Sequence, residues 1–113
     1  MKWLALIIFI LLQSRNCNKE GTVRVPPCIG EKIDAIQQLP KYNPPATVYR
    51  YSYQNQYVYL ISSNCCDQYN YLYDKNCNVI CAPSGGLTGR GDGRCADFKQ
   101  NATGEVLVWK DPR

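Results

Sequence analysis

The chain has 113 residues, 45% hydrophobic and 19% charged, a balance that fits one globular domain and excludes wholesale disorder. Its formal charge is +4, but Lys2 and Arg15 belong to the leader, and removing these two from the 13 basic residues leaves 11 against 9 acidic ones. No basic run survives, which excludes nucleic acid as a partner, and the absence of histidine excludes Ser-His-Asp and Cys-His catalysis and histidine-containing metal sites.

Trp3 to Leu12 form an unbroken apolar run behind Lys2. The run is too short to span a bilayer and suits a signal-peptide core, so residues 1–16 read as a signal peptide. Cys17 follows a short polar stretch, at the place where bacterial lipoproteins are cleaved and acylated. It is the expected lipidation residue, although Arg15 and Asn16 stand where small residues are usual. The expected location is the cell envelope, lipid-anchored to a membrane at the periplasmic face or the cell surface. Residues 17–27, with Pro26 and Pro27, read as a lipidated tether, and residues 28–113 as the domain. Parity agrees: of seven cysteines, Cys28, Cys65, Cys66, Cys77, Cys81 and Cys95 remain after Cys17, an even set that can pair in an oxidising compartment. Connectivity is not readable, but the neighbours Cys65 and Cys66 are expected to reach different segments, because adjacent residues give poor disulfide geometry.

From Cys28 to Leu39, Ile29, Ile33 and Ile36 fall on one helical face, with Pro27 at the start and Pro40 at the end. TVYRYSY and QYVYLIS, separated by Gln54-Asn55, predict a β-hairpin. Alternation is read as placing Tyr49, Tyr51, Tyr53, Tyr57 and Tyr59 in one stripe, with Val58 and Leu60 on an aliphatic face. The stripe reads either as cross-strand packing or as an exposed platform for a protein or glycan partner. Beyond Cys65-Cys66, a short strand is expected near Leu72-Tyr73, then a turn at DKNCN, a returning strand at VICA broken by Pro83, Gly85 and Gly86, and a last strand at VLVWK, residues 106–110. Residues 96–105 read as a short helical turn or loop. The fold class expected is α+β: one amino-terminal helix packed on a small, mostly antiparallel, disulfide-stapled sheet.

Residues 85–95, GGLTGRGDGRC, hold five of the eight glycines. The glycines predict positive φ or close backbone approach, with Asp92 accepting amide hydrogen bonds and Arg90 and Arg94 in solvent or paired. Arg90-Gly91-Asp92 matches an integrin tripeptide, a short motif with a high false-positive rate. Calcium is weighed at Asp92 and Asp97 and at Asp74, Asn76 and Asn78. The latter segment lacks the glycine and glutamate of a calcium loop and reads as a hairpin turn. No cofactor or metal site is assigned.

The segments CCDQYNYLYD, ICAPSGGLTGRGDGRCADF and VWKDPR resemble a family of domains of unknown function in small exported proteins and lipoproteins of Bacteroidetes-type bacteria. The resemblance covers Cys28 to Arg113. It implies export and one fold unit, and supplies no activity. Cys77 stands where relatives often carry glycine. The expected function is a non-enzymatic binding or structural role in the envelope. The alternatives are a protease inhibitor presenting the 85–95 loop with Arg90 or Arg94, and a small hydrolase built on Asp67, Asp74, Asp92 or Asp97. A concave tyrosine-lined groove favours the binding module, a convex loop the inhibitor, and converging carboxylates the enzyme.

Overall fold

The computed structural model describes residues 23–65 and 67–113. The expected signal peptide, the expected lipidation residue Cys17, most of the expected tether and Cys66 lie outside the described residues. Helix α1 spans Pro27–Gln37, one residue earlier than its pattern predicts. Pro27 occupies the first turn, where a missing N–H costs nothing, and the Pro26 carbonyl accepts the Ile29 and Gly30 amides at 3.0 and 3.1 Å. Ile29 and Ile36 are its buried residues. Within the expected tether, Val25 already packs against the same core.

Strands β1 (Thr47–Tyr53) and β2 (Gln56–Ile61) form the expected hairpin. Gln54 and Asn55 have φ of 53° and 63°. Two successive positive φ values make a two-residue turn that matches the twist of the flanking strands. β3 (Tyr69–Tyr73), β4 (Val79–Gly85), the short helix α2 (Phe98–Asn101) and β5 (Thr103–Lys110) follow. The five strands form one antiparallel sheet in the order β4-β3-β2-β1-β5. The sheet dominates the molecule. The short helix α2 falls where residues 96–105 read as a helical turn or loop, and strands β3, β4 and β5 are all longer than their patterns suggested. β4 runs through Pro83 to Gly85 rather than stopping before them. It can do so because it is an edge strand with shifted register against β3, where a residue lacking N–H is tolerated.

Both faces of the sheet are covered. On the first, Ile29 and Ile36 of α1 join Val48, Tyr59 and Ile61 in one buried cluster, with Tyr42 and Ala46. On the second, Val58, Leu72 and Cys81 pack with Tyr53, Cys95 and Phe98. Each cluster has a covalent staple, at the margin of the first and inside the second. Cys28–Cys77 ties the start of α1 to the β3–β4 turn, and Cys81–Cys95 ties β4 to the end of the glycine loop.

The carboxyl terminus closes the first face. Asp111 is buried and its amide donates to the Ala46 carbonyl at 2.9 Å. Its carboxylate holds the Arg113 guanidinium at 2.8 Å. That guanidinium donates to the carbonyls of Ile36, Gln37 and Leu39 at 3.4, 3.3 and 2.9 Å. It satisfies acceptors that the end of a helix leaves without intrahelical partners. The hydrogen bonds from Arg113 hold the Asp111 carboxyl below the usual carboxylate range.

Candidate functional site

The expected tyrosine stripe does not exist as one surface. The two-residue turn pairs Tyr53 with Gln56, Tyr51 with Val58 and Tyr49 with Leu60, while Tyr59 faces Arg50 and Tyr57 faces Ser52. Directly opposed residues share a face. Tyr49, Tyr51 and Tyr53 therefore lie on the second face, and Tyr57 and Tyr59 on the first. A two-residue loop pairs odd with even positions, so matching the tyrosines by parity alone puts one strand on the wrong side.

Most of these tyrosines are packing residues. Tyr53 is buried, donates to Asp97 Oδ1 at 2.7 Å and meets the Phe98 ring edge-on at 5.1 Å. Tyr51 donates to Glu105 Oε2 at 3.1 Å and meets Phe98 at 4.9 Å. Burial, reinforced by these acceptors, pushes both phenols up to about 12. Tyr49 stacks obliquely beside Tyr51, its ring centroid 6.4 Å away. Tyr59 is in the core of the first face, and burial raises its phenol. Tyr57 is exposed, with the Arg50 guanidinium 4.1 Å from its ring centroid.

A different tyrosine ladder stands on β3. Tyr69, Tyr71 and Tyr73 alternate along one strand face, with ring centroids 5.9 Å apart for the first pair and 6.4 Å for the second. Register places Tyr71 opposite Ile61 and Tyr73 opposite Tyr59, on the face that carries α1. The Lys32 ammonium from α1 sits 4.6 Å from the Tyr73 ring centroid. Between α1 and β3 these rings line a groove of about 610 Å³, with Lys32, Asn64, Asp67 and Gln68 supplying polar groups. Tyr69 and Tyr71 remain 37% and 38% exposed beside the groove. The expectation of a strand only near Leu72-Tyr73 is corrected: β3 already begins at Tyr69, where the polar residues between the tyrosines mask the alternation. The signal that reveals the ladder is the i, i+2, i+4 spacing of its tyrosines.

The glycine loop behaves as its composition predicts. Gly85, Gly86, Gly89, Gly91 and Gly93 all have φ between 79° and 85°. At Gly91 the requirement is steric as well. A Cβ there would collide with the Ala82 carbonyl oxygen and lie 2.7 Å from the Pro83 carbonyl carbon. The loop lies back along β4: Asp92 N–H donates to the Ala82 carbonyl and Gly91 N–H to the Gly85 carbonyl, each at 2.9 Å. Asp92 Oδ1 accepts the Arg94 amide at 3.0 Å, and that bond is the leading cause of its lowered pKa. The Arg94 guanidinium pairs with Asp92 at 3.8 Å. The turn closed by Gly89 N–H on the Gly86 carbonyl carries Leu87, 86% exposed, at its tip.

Of the aspartates weighed for hydrolysis or calcium, Asp67 lies on the tyrosine groove, while Asp74, Asp92 and Asp97 are committed to separate local hydrogen-bond sets. Asp74 accepts the Asn76 and Asn78 amides at 2.8 and 2.9 Å, as a hairpin turn requires. Asp97 accepts from Tyr53 and from Asn101 Nδ2. Among the described residues, no three of Cys, Asp and Glu gather where a metal ion could be held. Cys77, in the Asp74 turn, has φ 64°, the left-handed conformation that glycine adopts without strain. Cysteine there gains the bond to Cys28. Cys65 is disulfide-bonded as well. Whether Cys65 and Cys66 reach different segments lies outside the described residues. The disulfides fit an oxidising, extracellular-type compartment, and among the described residues no helix is long and apolar enough to cross a membrane.

Compared with known proteins, residues 34–111 match the model of a domain of unknown function, DUF6970. No curated protein and no solved structure matches the chain. The matched segment begins inside α1, so it contains Cys77 but not Cys28.

Proposed function

The chain belongs to the DUF6970 family, and we propose that this member is an exported binding module, anchored by lipid at Cys17, that holds a neutral glycan in the groove between α1 and β3. The observation that carries the reading is the ladder of Tyr69, Tyr71 and Tyr73 along that groove. Three rings on one strand face offer flat apolar area at low conformational cost, and their hydroxyls offer hydrogen bonds. The side-chain amides of Asn64 and Gln68 add donors and acceptors suited to sugar hydroxyls. One lysine and one aspartate on the lining balance each other, which favours a neutral ligand over a polyanion. In this reading the role is non-enzymatic: the groove supplies recognition, and the lipid holds the domain at a membrane of the cell envelope.

The inhibitor reading has less support. A basic inhibitor residue needs to lead the loop, and the tip carries Leu87, with Arg94 paired to Asp92 and Arg90 three residues behind the tip with its amide bonded to Thr88. The glycan reading is tested by calorimetric titration of the purified protein with neutral oligosaccharides, comparing wild type, Tyr71→Ala and Tyr57→Ala. Binding that vanishes in Tyr71→Ala and survives in Tyr57→Ala supports it, and binding indifferent to Tyr71 overturns it. Fatty-acid labelling that persists in Cys17→Ser would separately remove the anchor.

A further inference from the structure

We infer that the second face of the sheet carries a separate ligand site, for a small amphiphilic organic anion held between Arg90 and Lys99. A concavity of about 700 Å³ lies there, floored by Tyr51, Leu60, Phe98 and Ala102 and rimmed by Arg90 and Lys99. That volume is within the range of small-molecule sites, roughly 300–1,000 Å³. It is a different surface from the tyrosine groove: Leu60 pairs with Leu72 and Tyr49, on the face opposite Tyr71 and Tyr73.

Charge and polarity specify the ligand. Among the described residues the ion pairs are Arg94–Asp92 and Arg113–Asp111, so both rim cations stand outside them. The one carboxylate on the lining, Glu105, accepts the Tyr51 hydroxyl at 3.1 Å. Two cations against one engaged carboxylate favour an anionic head, and the apolar floor needs an apolar body to cover it. An inorganic anion would leave that floor wet, and a neutral apolar molecule would leave the cations unmatched.

The frame is built before any ligand arrives. Arg90 forms a bridge with Gly85, its amide donates to Thr88 Oγ1 at 3.2 Å, and the Gly91 amide behind it is bonded to Gly85. Lys99 follows Phe98, whose ring is wedged against Tyr51 and Tyr53. The Cys81–Cys95 disulfide ties the loop that bears Arg90 to the sheet, just ahead of α2. Pre-ordering of this kind removes part of the entropy cost of binding. The glycine-rich loop thus has a use for its central arginine that involves no adhesion receptor: it holds Arg90 over an apolar floor.

The test is displacement of the fluorescent dye anilinonaphthalenesulfonate from the purified protein by dodecanoate and by dodecanol. The acid should displace the dye and the alcohol should not. Arg90→Gln and Lys99→Gln should each weaken dodecanoate by about tenfold, the loss of one charge-assisted hydrogen bond, with unchanged melting showing that the fold is intact. Tyr71→Ala should leave dodecanoate binding as it was, which separates this site from the glycan groove. Failure of the dye to bind, equal displacement by the alcohol, or affinity unchanged by both Gln variants would overturn the site. Binding only to vesicles containing anionic lipid, with no affinity for free dodecanoate, would also overturn it.

Discussion

The two faces of the sheet are covered by different means. The first is covered by α1, which comes just before β1 in sequence and is fastened at both ends to distant segments. Cys28 at its start bonds Cys77 across 49 residues, and Arg113 reaches its last carbonyls from 76 and 77 residues away. The second face is covered locally by the loop and helix that follow β4, closed by a disulfide spanning 14 residues and by glycines that let the backbone fold back on itself. A cover tied to remote segments relies on long-range fasteners, while one folded back on its own strand needs permissive backbone. The grooves differ accordingly, one tyrosine-lined between separate elements and the other set beneath a rigid loop.

The largest effects should come from cutting the staples. In the chain-entropy model, losing a closure of about 50 residues costs about 4 kcal/mol, and one of about 15 residues about 3 kcal/mol. Urea melts of Cys28→Ser/Cys77→Ser and of Cys81→Ser/Cys95→Ser should rank in that order, and the reverse order would break the comparison. Replacing Cys77 by glycine instead of serine should recover about 1 kcal/mol, because its φ of 64° strains any side chain.

Next comes the loop backbone. Gly91→Val should destabilise by about 3 kcal/mol, since positive φ and collision with the Ala82 carbonyl act together. Gly93→Val, with open space around its Cβ position, meets only the φ strain and should lose about 1–2 kcal/mol. Equal losses would mean that the close approach at Gly91 is unimportant. Tyr53→Phe should cost about 1 kcal/mol through the lost hydrogen bond to Asp97.

Acid should loosen both faces together. Asp74, Asp92, Asp97 and Asp111 all sit below their ordinary value of 3.8 in the folded protein. The unfolded chain therefore binds protons first. Their stabilisation is complete above pH 3.8 and is lost as pH falls through the lower folded values. Thermal melts should be insensitive to these groups near neutrality and fall below about pH 4. Asp111→Asn should flatten that fall. The smallest effect on stability is expected at exposed Arg90, whose replacement by glutamine should shift it by less than about 0.5 kcal/mol while weakening the anion site.

Much of the architecture was legible in residue order. Helix α1 announced itself through Ile29, Ile33 and Ile36 between prolines, and the hairpin through two Val/Tyr/Ile runs around Gln54-Asn55, because periodicity and turn chemistry are local properties. The glycine loop was legible for the same reason: five glycines in nine residues, Gly85 to Gly93, describe a backbone that must enter the left-handed region. Even the facing of Tyr51 and Tyr57 was implicit, since a two-residue turn dictates the register. Tertiary structure alone decided the rest. Pro83 stays in a strand because β4 lies at an edge, and Tyr69, Tyr71 and Tyr73 become a ladder because β3 pairs between β2 and β4 beside α1. Asp111 and Arg113, polar residues that nothing local marks, become a lock of a buried carboxylate and an exposed guanidinium because β5 delivers them to the end of the first helix. Such contacts join residues whose sequence neighbours carry no trace of the partner, so they arise only once the sheet has set which distant segments meet.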